Sequence, residues 1–128
     1  MITLALLKFL EDNGFGKIDK NLFFQKLSLG KEGLYIVNVG SYIDHGTVRT
    51  QGFELYSRGK NDVDGYKKLE DVLNFLIKSY SVCCLPVVPP ITTEKYCNVT
   101  IKPTSTISSI GQDVNGKMIY SITGTINY

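Results

Sequence analysis

The chain has 128 residues, with 14 basic and 12 acidic side chains and a formal net charge of +2. A chain of this length suits a single domain, residues 1–128, that buries about two thirds of its unfolded surface. The charges are well mixed, which excludes the concentrated basic patch of a protein that binds DNA without sequence preference. We find neither an apolar run of membrane-spanning length nor a signal peptide, so we expect a soluble protein made in the cytoplasm.

The first predicted helix covers residues 3–13. Thr3 is placed at its N-cap, where the hydroxyl can accept a hydrogen bond from a free backbone N–H. Leucine and phenylalanine side chains form a broad apolar face, and Gly14 and Gly16 end the helix because glycine accepts the left-handed conformation. We expect this apolar face to pack on a sheet.

Two strands follow, at residues 34–39 and 47–57, where β-branched and aromatic residues are frequent. The polar loop between them, residues 40–46, predicts an antiparallel hairpin. The alternation of apolar residues slips near Gly52, which predicts a β-bulge at that residue.

A second helix is predicted for residues 65–80, where apolar or aromatic residues recur every three or four positions. Asn61, Asp62 and Asp64 supply side-chain acceptors and negative charge at the start of this helix. Leu73 lies near the middle of the apolar stripe and is predicted to be buried. A Leu73→Asp substitution should therefore unfold the domain, because a buried unpaired charge is strongly destabilising.

The second half of the chain contains a proline-rich connector and two further strands. Residues 85–90 include three prolines, which favour an extended path. A strand is predicted at residues 96–102, and the polar stretch 104–110 either continues that strand or forms a loop. The Asn-Gly pair at 115–116 predicts a turn, and residues 117–128 alternate apolar and polar side chains, as in a strand with one buried face.

This order of elements predicts an α+β fold, with a small antiparallel or mixed β-sheet of about four strands and two α-helices packed on one face. The core should combine apolar residues of both helices with the inward positions of the strands. The predicted core residues are Leu7, Leu10, Ile36, Phe53, Leu69, Leu73, Leu76, Tyr120 and Ile122.

Candidate catalytic and metal-binding residues are few. His45 is the only histidine, and although it follows Asp44 in a glycine-flanked loop, a catalytic site needs further groups in defined roles. Asp62 and Asp64 are better explained by helix capping than by cation binding, and Asp113 begins a motif that lacks the other ligands of a calcium loop. We therefore predict a non-enzymatic interaction or structural protein, without metal or cofactor.

The three cysteines are Cys83, Cys84 and Cys97. An odd number with two adjacent residues is a poor framework for disulfides, and a zinc site would need a fourth ligand. We expect small buried thiols in a reducing compartment.

Six segments spread over nearly the whole chain carry a resemblance to a known family. They are Leu-Leu-Lys-Phe-Leu-Glu-Asp-Asn-Gly-Phe-Gly at 6–16, Gly-Leu-Tyr-Ile-Val at 33–37, Thr-Gln-Gly-Phe-Glu-Leu-Tyr-Ser-Arg at 50–58, Gly-Tyr-Lys-Lys-Leu-Glu at 65–70, Pro-Thr-Ser at 103–105 and Gly-Lys-Met-Ile-Tyr-Ser-Ile-Thr-Gly at 116–124. Together these segments resemble the tail terminators of long-tailed bacteriophages, small proteins often labelled minor capsid proteins.

The resemblance implies a small α+β domain that forms a ring, six-fold in this family, on the finished end of the tail tube. Such a ring stops the addition of tube subunits and offers the surface to which the head attaches, while DNA passes through its pore without specific binding. The implied partners are further copies of the chain, the tail tube protein and the head-completion or connector protein. The implied location is the head-proximal end of the virion tail.

A ring of identical subunits requires two different patches on each subunit, and unpaired strand edges can supply them. Mixed charge suits a pore through which DNA must slide, since a strongly basic lumen would hold the phosphates. We expect polar loops at opposite ends of the sheet to face the partners or the pore. The candidate interface or pore residues are Ser41, Tyr42, Asp44, His45, Arg58, Lys60, Asp62, Asp64, Gln112, Asp113 and Asn115.

Other functions are compatible with the same sequence. Another head–tail joining protein or a tail-tube subunit is the nearest, and a tube subunit would need a long hairpin that lines the tube. A small regulatory binding module would instead be a stable monomer or dimer without affinity for tail tubes. An enzyme is the third choice, and His45→Ala would test it.

Overall fold

The computed structural model describes residues 2–26, 31–44, 48–89, 91 and 93–128, with the backbone alone for residues 41–44. Neither helix in these ranges has the length and apolar composition of a membrane-spanning segment. The described elements are α1 (Ile2–Asp12), β1 (Leu22–Phe24), β2 (Gly33–Asp44), β3 (Val48–Arg58), α2 (Asp62–Lys78), β4 (Ser81–Cys84), β5 (Cys97–Pro103), β6 (Ser108–Gln112) and β7 (Met118–Asn127).

The strands form one mixed sheet that curls into a half-barrel. The strand order is β1-β2-β3-β7-β5-β4, and β6 also pairs with β7. Strand β1 runs parallel to β2, and the other described pairs are antiparallel. The expected sheet of about four strands with two helices packed on one face is therefore wrong, because the described residues alone contain seven strands.

The strands that the sequence pattern missed are β1 and β4, and for β6 it left strand and loop both open; the three strands have 3, 4 and 5 residues. Such short segments show too few alternations to be distinguished from loops. Strand β6 continues the course of β5 along β7 after a short interruption, since the Thr104 N–H donates to the Thr123 carbonyl between them. The polar stretch after β5 thus belongs to the sheet.

The hairpin of β2 and β3 is antiparallel, as predicted. The irregularity in its register lies on β2, between Asn38 and Ser41, and not at Gly52 itself. Gly52 faces this bulge so closely that a Cβ atom there would collide with the Val39 carbonyl oxygen. The glycine therefore accommodates a bulge on the neighbouring strand, while β3 itself keeps an unbroken register with β7 through this position.

The core lies on one face of the sheet, where residues from neighbouring strands stand in register. Leu55 pairs with Ile36 on one side and with Ile122 on the other, and all three are fully buried. Gly124 pairs with Phe53, and a Cβ atom on Gly124 would lie 2.5 Å from the Phe53 ring. The predicted core residues that are buried are Leu7, Leu10, Ile36, Phe53, Leu69, Leu76 and Ile122, whereas Leu73 and Tyr120 are partly buried against this core.

Helix α1 begins at Ile2, so Thr3 lies within the helix and its predicted role as N-cap is wrong. The Thr3 side chain is buried and donates a hydrogen bond to Asn38 Oδ1 at 2.6 Å. Gly14 has φ 87°, which confirms the left-handed end of the helix. The helix packs against β1, β2 and β3.

Helix α2 begins at Asp62, three residues before the predicted start, because Asn61 is its N-cap and accepts a hydrogen bond from the Asp64 N–H at 2.9 Å. Its buried face consists of Gly65, Leu69, Val72 and Leu76. These four positions mark the centre of the buried face, and Leu73 lies to one side of them, which explains its partial exposure. The residues of the predicted stripe that are exposed are Tyr66, Ile77 and Tyr80.

Phe75 lies outside the predicted apolar stripe of α2 but is partly buried. Its ring centroid lies 5.4 Å from that of Phe9 and 5.0 Å from that of Phe15. These contacts join α2 to α1 and to the segment that follows it. This aromatic cluster explains why a phenylalanine occurs on the face of α2 that is otherwise polar.

Candidate interaction site

The sequence-predicted interface residues fall at two opposite ends of β3. Its last residue, Arg58, pairs with Gly33, and its first residue, Val48, pairs with Asp44. The strand has 11 residues, so these ends are roughly 34 Å apart at the rise of an antiparallel strand. We call the end near Arg58 the α2 end and the end near Val48 the hairpin end.

The hairpin end differs from the polar loop that was predicted for residues 40–46. Ser41, Tyr42 and Asp44 belong to β2 and pair with Gln51, Thr50 and Val48 of β3. Their backbone is therefore part of the sheet, and the prediction of a loop at these positions is wrong. His45, the other candidate in this segment, lies outside the described residues.

Arg58 and Asp113 form an ion pair at the α2 end. Arg58 Nη1 lies 3.2 Å from Asp113 Oδ2, and each side chain is only 6% exposed. Arg58 also donates from Nε and Nη2 to the Lys31 carbonyl oxygen, at 2.9 and 2.7 Å. The expected exposure of Asp113 is therefore wrong, because the two side chains hold three segments together inside the molecule. The interface role of both residues stays a prediction.

Asp113 also organises the turn between β6 and β7. Its Oδ1 accepts hydrogen bonds from the N–H groups of Asn115 and Lys117, both at 2.9 Å. Gly116 has φ 80°, which confirms the turn predicted at this pair of residues. Burial raises the pKa of Asp113, but these N–H groups and Arg58 outweigh that effect and hold the pKa below its ordinary value.

The first turn of α2 is tied to the same β6–β7 turn. Asp62 Oδ1 accepts a hydrogen bond from the Met118 N–H at 3.1 Å. Asp64 Oδ2 accepts one from the Lys60 N–H at 3.0 Å and lies 3.2 Å from Lys68 Nζ. The Lys60 N–H lowers the pKa of Asp64, burial opposes this, and Lys68 adds to the lowering. The two aspartates thus stabilise the helix start, as predicted, and Asp62 also links the two segments.

Seven of the candidates therefore meet at the α2 end. Lys60, Gln112 and Asn115 are exposed there and available to a partner. The seven are Arg58, Lys60, Asp62, Asp64, Gln112, Asp113 and Asn115.

Four large apolar side chains are exposed at the same end, and the sequence analysis missed them. Val114 is 82% exposed, Val63 79%, Ile110 51% and Tyr66 43%. Val63 and Tyr66 are one helical turn apart, and the Tyr66 ring meets the Tyr120 ring edge to face at 5.5 Å. We call Val63, Tyr66, Ile110 and Val114 the apolar patch. Val63 and Val114 each stand between two polar residues of a capping or turn segment. This pattern was the one feature of the sequence that could have indicated their exposure.

A small cleft lies between the C-terminal end of α1, the start of β2 and α2. Its volume is about 160 Å³, below the roughly 300 Å³ at which small-molecule sites begin. Lys68 and Asp71 line it, and both are in ion pairs on α2, with Asp64 and Lys67. Among the residues that the structure describes, no three histidine, cysteine or acidic side chains are grouped to hold a metal ion.

The three cysteines lie at the β4 edge of the sheet. Cys83 and Cys97 are exposed and Cys84 is half-buried, so the predicted burial of the thiols is wrong.

Comparison with protein-family models and with curated proteins found no match to this chain.

Proposed function

We propose that this chain is a structural assembly protein of a long-tailed bacteriophage that forms a ring on the end of the tail tube, ends tube growth and offers the surface for head attachment. The choice of a phage tail as the assembly rests on the six segments that resemble tail terminators. The structural observation that supports the proposal is the apolar patch at the α2 end. Large apolar side chains that are exposed at one end of a domain are a feature of surfaces that bind another protein.

The segments that carry the apolar patch are held together by side-chain contacts. Arg58–Asp113 and Asp62–Met118 connect the end of β3, the start of α2 and the β6–β7 turn. A surface that is already ordered loses little conformational entropy when it binds a partner. This favours a docking function for the α2 end, and we assign the second axial contact to the hairpin end, roughly 34 Å away along β3.

Lateral contacts in a ring need two unlike surfaces on each subunit. The described sheet has unlike edges, with the short parallel strand β1 at one edge and β4 at the other. Strand β6 adds a further exposed strand beside β7. Edges of this kind leave backbone N–H and C=O groups available to a neighbouring chain, which supports a closed ring of identical copies.

The proposed partners are further copies of this chain, the tail tube protein, the head-completion or connector protein, and DNA that passes through the pore without being held. The small net charge of +2 supports free passage of DNA. The proposed location is the head-proximal end of the tail.

Electron microscopy of the purified protein, alone and with tail tubes that lack a terminator, tests this proposal. We expect a ring-shaped cap on one end of each tube and attachment of heads to capped tubes only. In a Val63→Asp, Val114→Asp double variant, capping or head attachment should be lost because charge replaces apolar contact. The control is Asn74→Asp, which adds one negative charge at another exposed position of α2.

Two results would contradict the proposal in different ways. If the wild-type protein leaves every tube uncapped, the tail-terminator function is wrong. If the double variant folds, caps tubes and supports head attachment as well as Asn74→Asp does, the function stands but the apolar patch has no part in it.

A further inference from the structure

Cys84 and Cys97 face each other across two neighbouring strands at the β4 edge of the sheet. The antiparallel ladder of β4 and β5 pairs Cys84 directly with Cys97, and Val82 with Val99. Directly paired residues in antiparallel strands have Cα atoms about 4.5–5.5 Å apart. Disulfides span Cα separations of about 4.4–6.8 Å, so this pairing brings the two residues within disulfide range without movement of the backbone.

We propose that Cys84 and Cys97 are a redox modification site, at which a cross-strand disulfide forms when the protein meets a small-molecule disulfide such as oxidised glutathione. The proposal is independent of the function proposed above. It rests on the direct pairing of the two residues across β4 and β5 and on the exposure of Cys97.

The pKa of Cys84 agrees with such a site. Interaction with the Cys97 side chain is the main reason that the pKa of the Cys84 thiol is raised above its ordinary value. Burial of Cys84 adds to this effect, and the Cys83 side chain opposes it. This direction of the pKa shift agrees with the pairing of the two residues across β4 and β5. Both residues are free cysteines.

Access favours a first attack by Cys97. Cys97 is exposed, whereas Cys84 is half-buried and its raised pKa reduces its thiolate fraction. The Cys97 thiolate attacks one sulfur of the oxidant, the oxidant's S–S bond breaks, and one glutathione thiolate leaves. The Cys84 thiolate then attacks Cys97 in the mixed disulfide and releases the second glutathione. The protein loses two electrons and two protons, and the oxidant becomes two thiols.

Cys83 provides an internal control for this pairing. It precedes Cys84 on β4, is exposed, and lies between the two paired positions Val82 and Cys84. Successive residues of a strand project to opposite faces of the sheet. Cys83 is therefore exposed like Cys97, but unlike Cys97 it does not lie opposite Cys84 on the neighbouring strand.

Peptide mapping of the full-length protein tests the proposal. Trypsin places Cys83 and Cys84 in residues 79–95 and Cys97 in residues 96–117, because Lys102 precedes a proline. After treatment of the folded protein with oxidised glutathione, these two peptides should be joined, two hydrogen atoms lighter than their sum, and separated again by a reductant. The link should persist in Cys83→Ser and disappear in Cys84→Ser and Cys97→Ser.

The melting temperature gives a second readout. The disulfide encloses the chain between β4 and β5, so oxidation should raise the melting temperature of wild type and Cys83→Ser by roughly 5–10 °C. Cys84→Ser should show no such shift. The proposal is overturned if folded wild-type protein forms no link between the two peptides under this oxidant, if the link joins separate protein molecules, or if it persists in Cys84→Ser.

Discussion

Arg58 connects three parts of the chain that are distant in sequence. Its guanidinium group donates to the Lys31 carbonyl before β2 and lies beside Asp113 in the β6–β7 turn. The planar guanidinium carries its donors on three separate nitrogens, so that Nε and Nη2 bind the Lys31 carbonyl while Nη1 faces Asp113, whereas a lysine would offer a single nitrogen to both. This arrangement explains why an arginine stands at the end of β3 in a chain whose basic residues are mostly lysines.

Asp113→Asn tests whether the charge of this carboxylate stabilises the fold. The folded pKa of Asp113 is lowered, so its contribution is present above the unfolded pKa of about 3.9 and is lost as the pH falls through the folded pKa. The wild type should therefore be more stable than Asp113→Asn at pH 7, and the difference should be constant above about pH 5 and shrink below about pH 4.

Urea unfolding of both proteins from about pH 3 to pH 7, followed by far-UV circular dichroism, measures this difference. The introduced asparagine would keep the size of the side chain and one acceptor for the N–H groups of the turn. A stability difference that is the same at both ends of the pH range would show that the carboxylate charge contributes nothing. Asp71→Asn, at an exposed position of α2, is the control for a general effect of removing one acidic group.

At the scale of elements, α2 shows that two residues of the same predicted apolar stripe can differ in burial. Leu69 is fully buried, while Leu73, one turn later, is only partly buried. We expect Leu69→Ala to lower the free energy of unfolding by about 2–5 kcal/mol. Leu73→Ala should cost about 1–2 kcal/mol, because part of that side chain remains in water after folding. Urea unfolding at pH 7 compares the two variants, and equal losses would contradict the described orientation of the helix.

The same orientation changes the expectation for Leu73→Asp. A carboxylate at a partly buried position can reach water, so this variant should be destabilised but still fold, in contrast to the unfolding predicted from the apolar stripe alone. At Leu69 the same charge would have no access to solvent.

Long elements with a regular period were predictable from the sequence, and short or irregular ones were not. Strand β7 alternates through Ile122, Gly124 and Ile126, all buried, because a central strand with one covered face imposes period two. Strands β1, β4 and β6 depend on pairing with distant partners, and nothing local marks them. The start of α2 was misplaced because the cap at Asn61 admits polar residues and Val63 into its first turn.

The candidate site was predictable only in its parts. Asp62, Asp64 and the turn at residues 115–116 are local features, and their roles could be predicted from neighbouring residues. The approach of Asp113 to Arg58 depends on the register of β3 with β7 and of β7 with β6. Because this register cannot be predicted from the sequence, the two residues could be recognised there as charged residues in polar segments but not as a buried pair. For the same reason the apolar patch, which joins α2 to the β6–β7 turn, was not anticipated.

At the scale of the whole molecule, the proposed ring would make each copy depend on the others, and mixtures of subunits can test this. The Val63→Asp, Val114→Asp double variant changes the α2 end and leaves β1, β4 and the packing of the core unchanged. It should therefore still enter rings with wild-type copies through the lateral edges. In a six-membered ring with equal amounts of both proteins, roughly one ring in sixty would contain wild-type copies only, since each position is filled independently.

Tube capping or head attachment should therefore fall more steeply than the fraction of wild-type protein as the double variant is added at constant total concentration. The number of capped or head-bearing tubes in electron micrographs measures this, and mixtures with Asn74→Asp should retain full capping. A decrease in simple proportion to the wild-type fraction would mean that copies act independently. Such an outcome would exclude a cooperative ring while leaving intact the contact between the apolar patch and its partner.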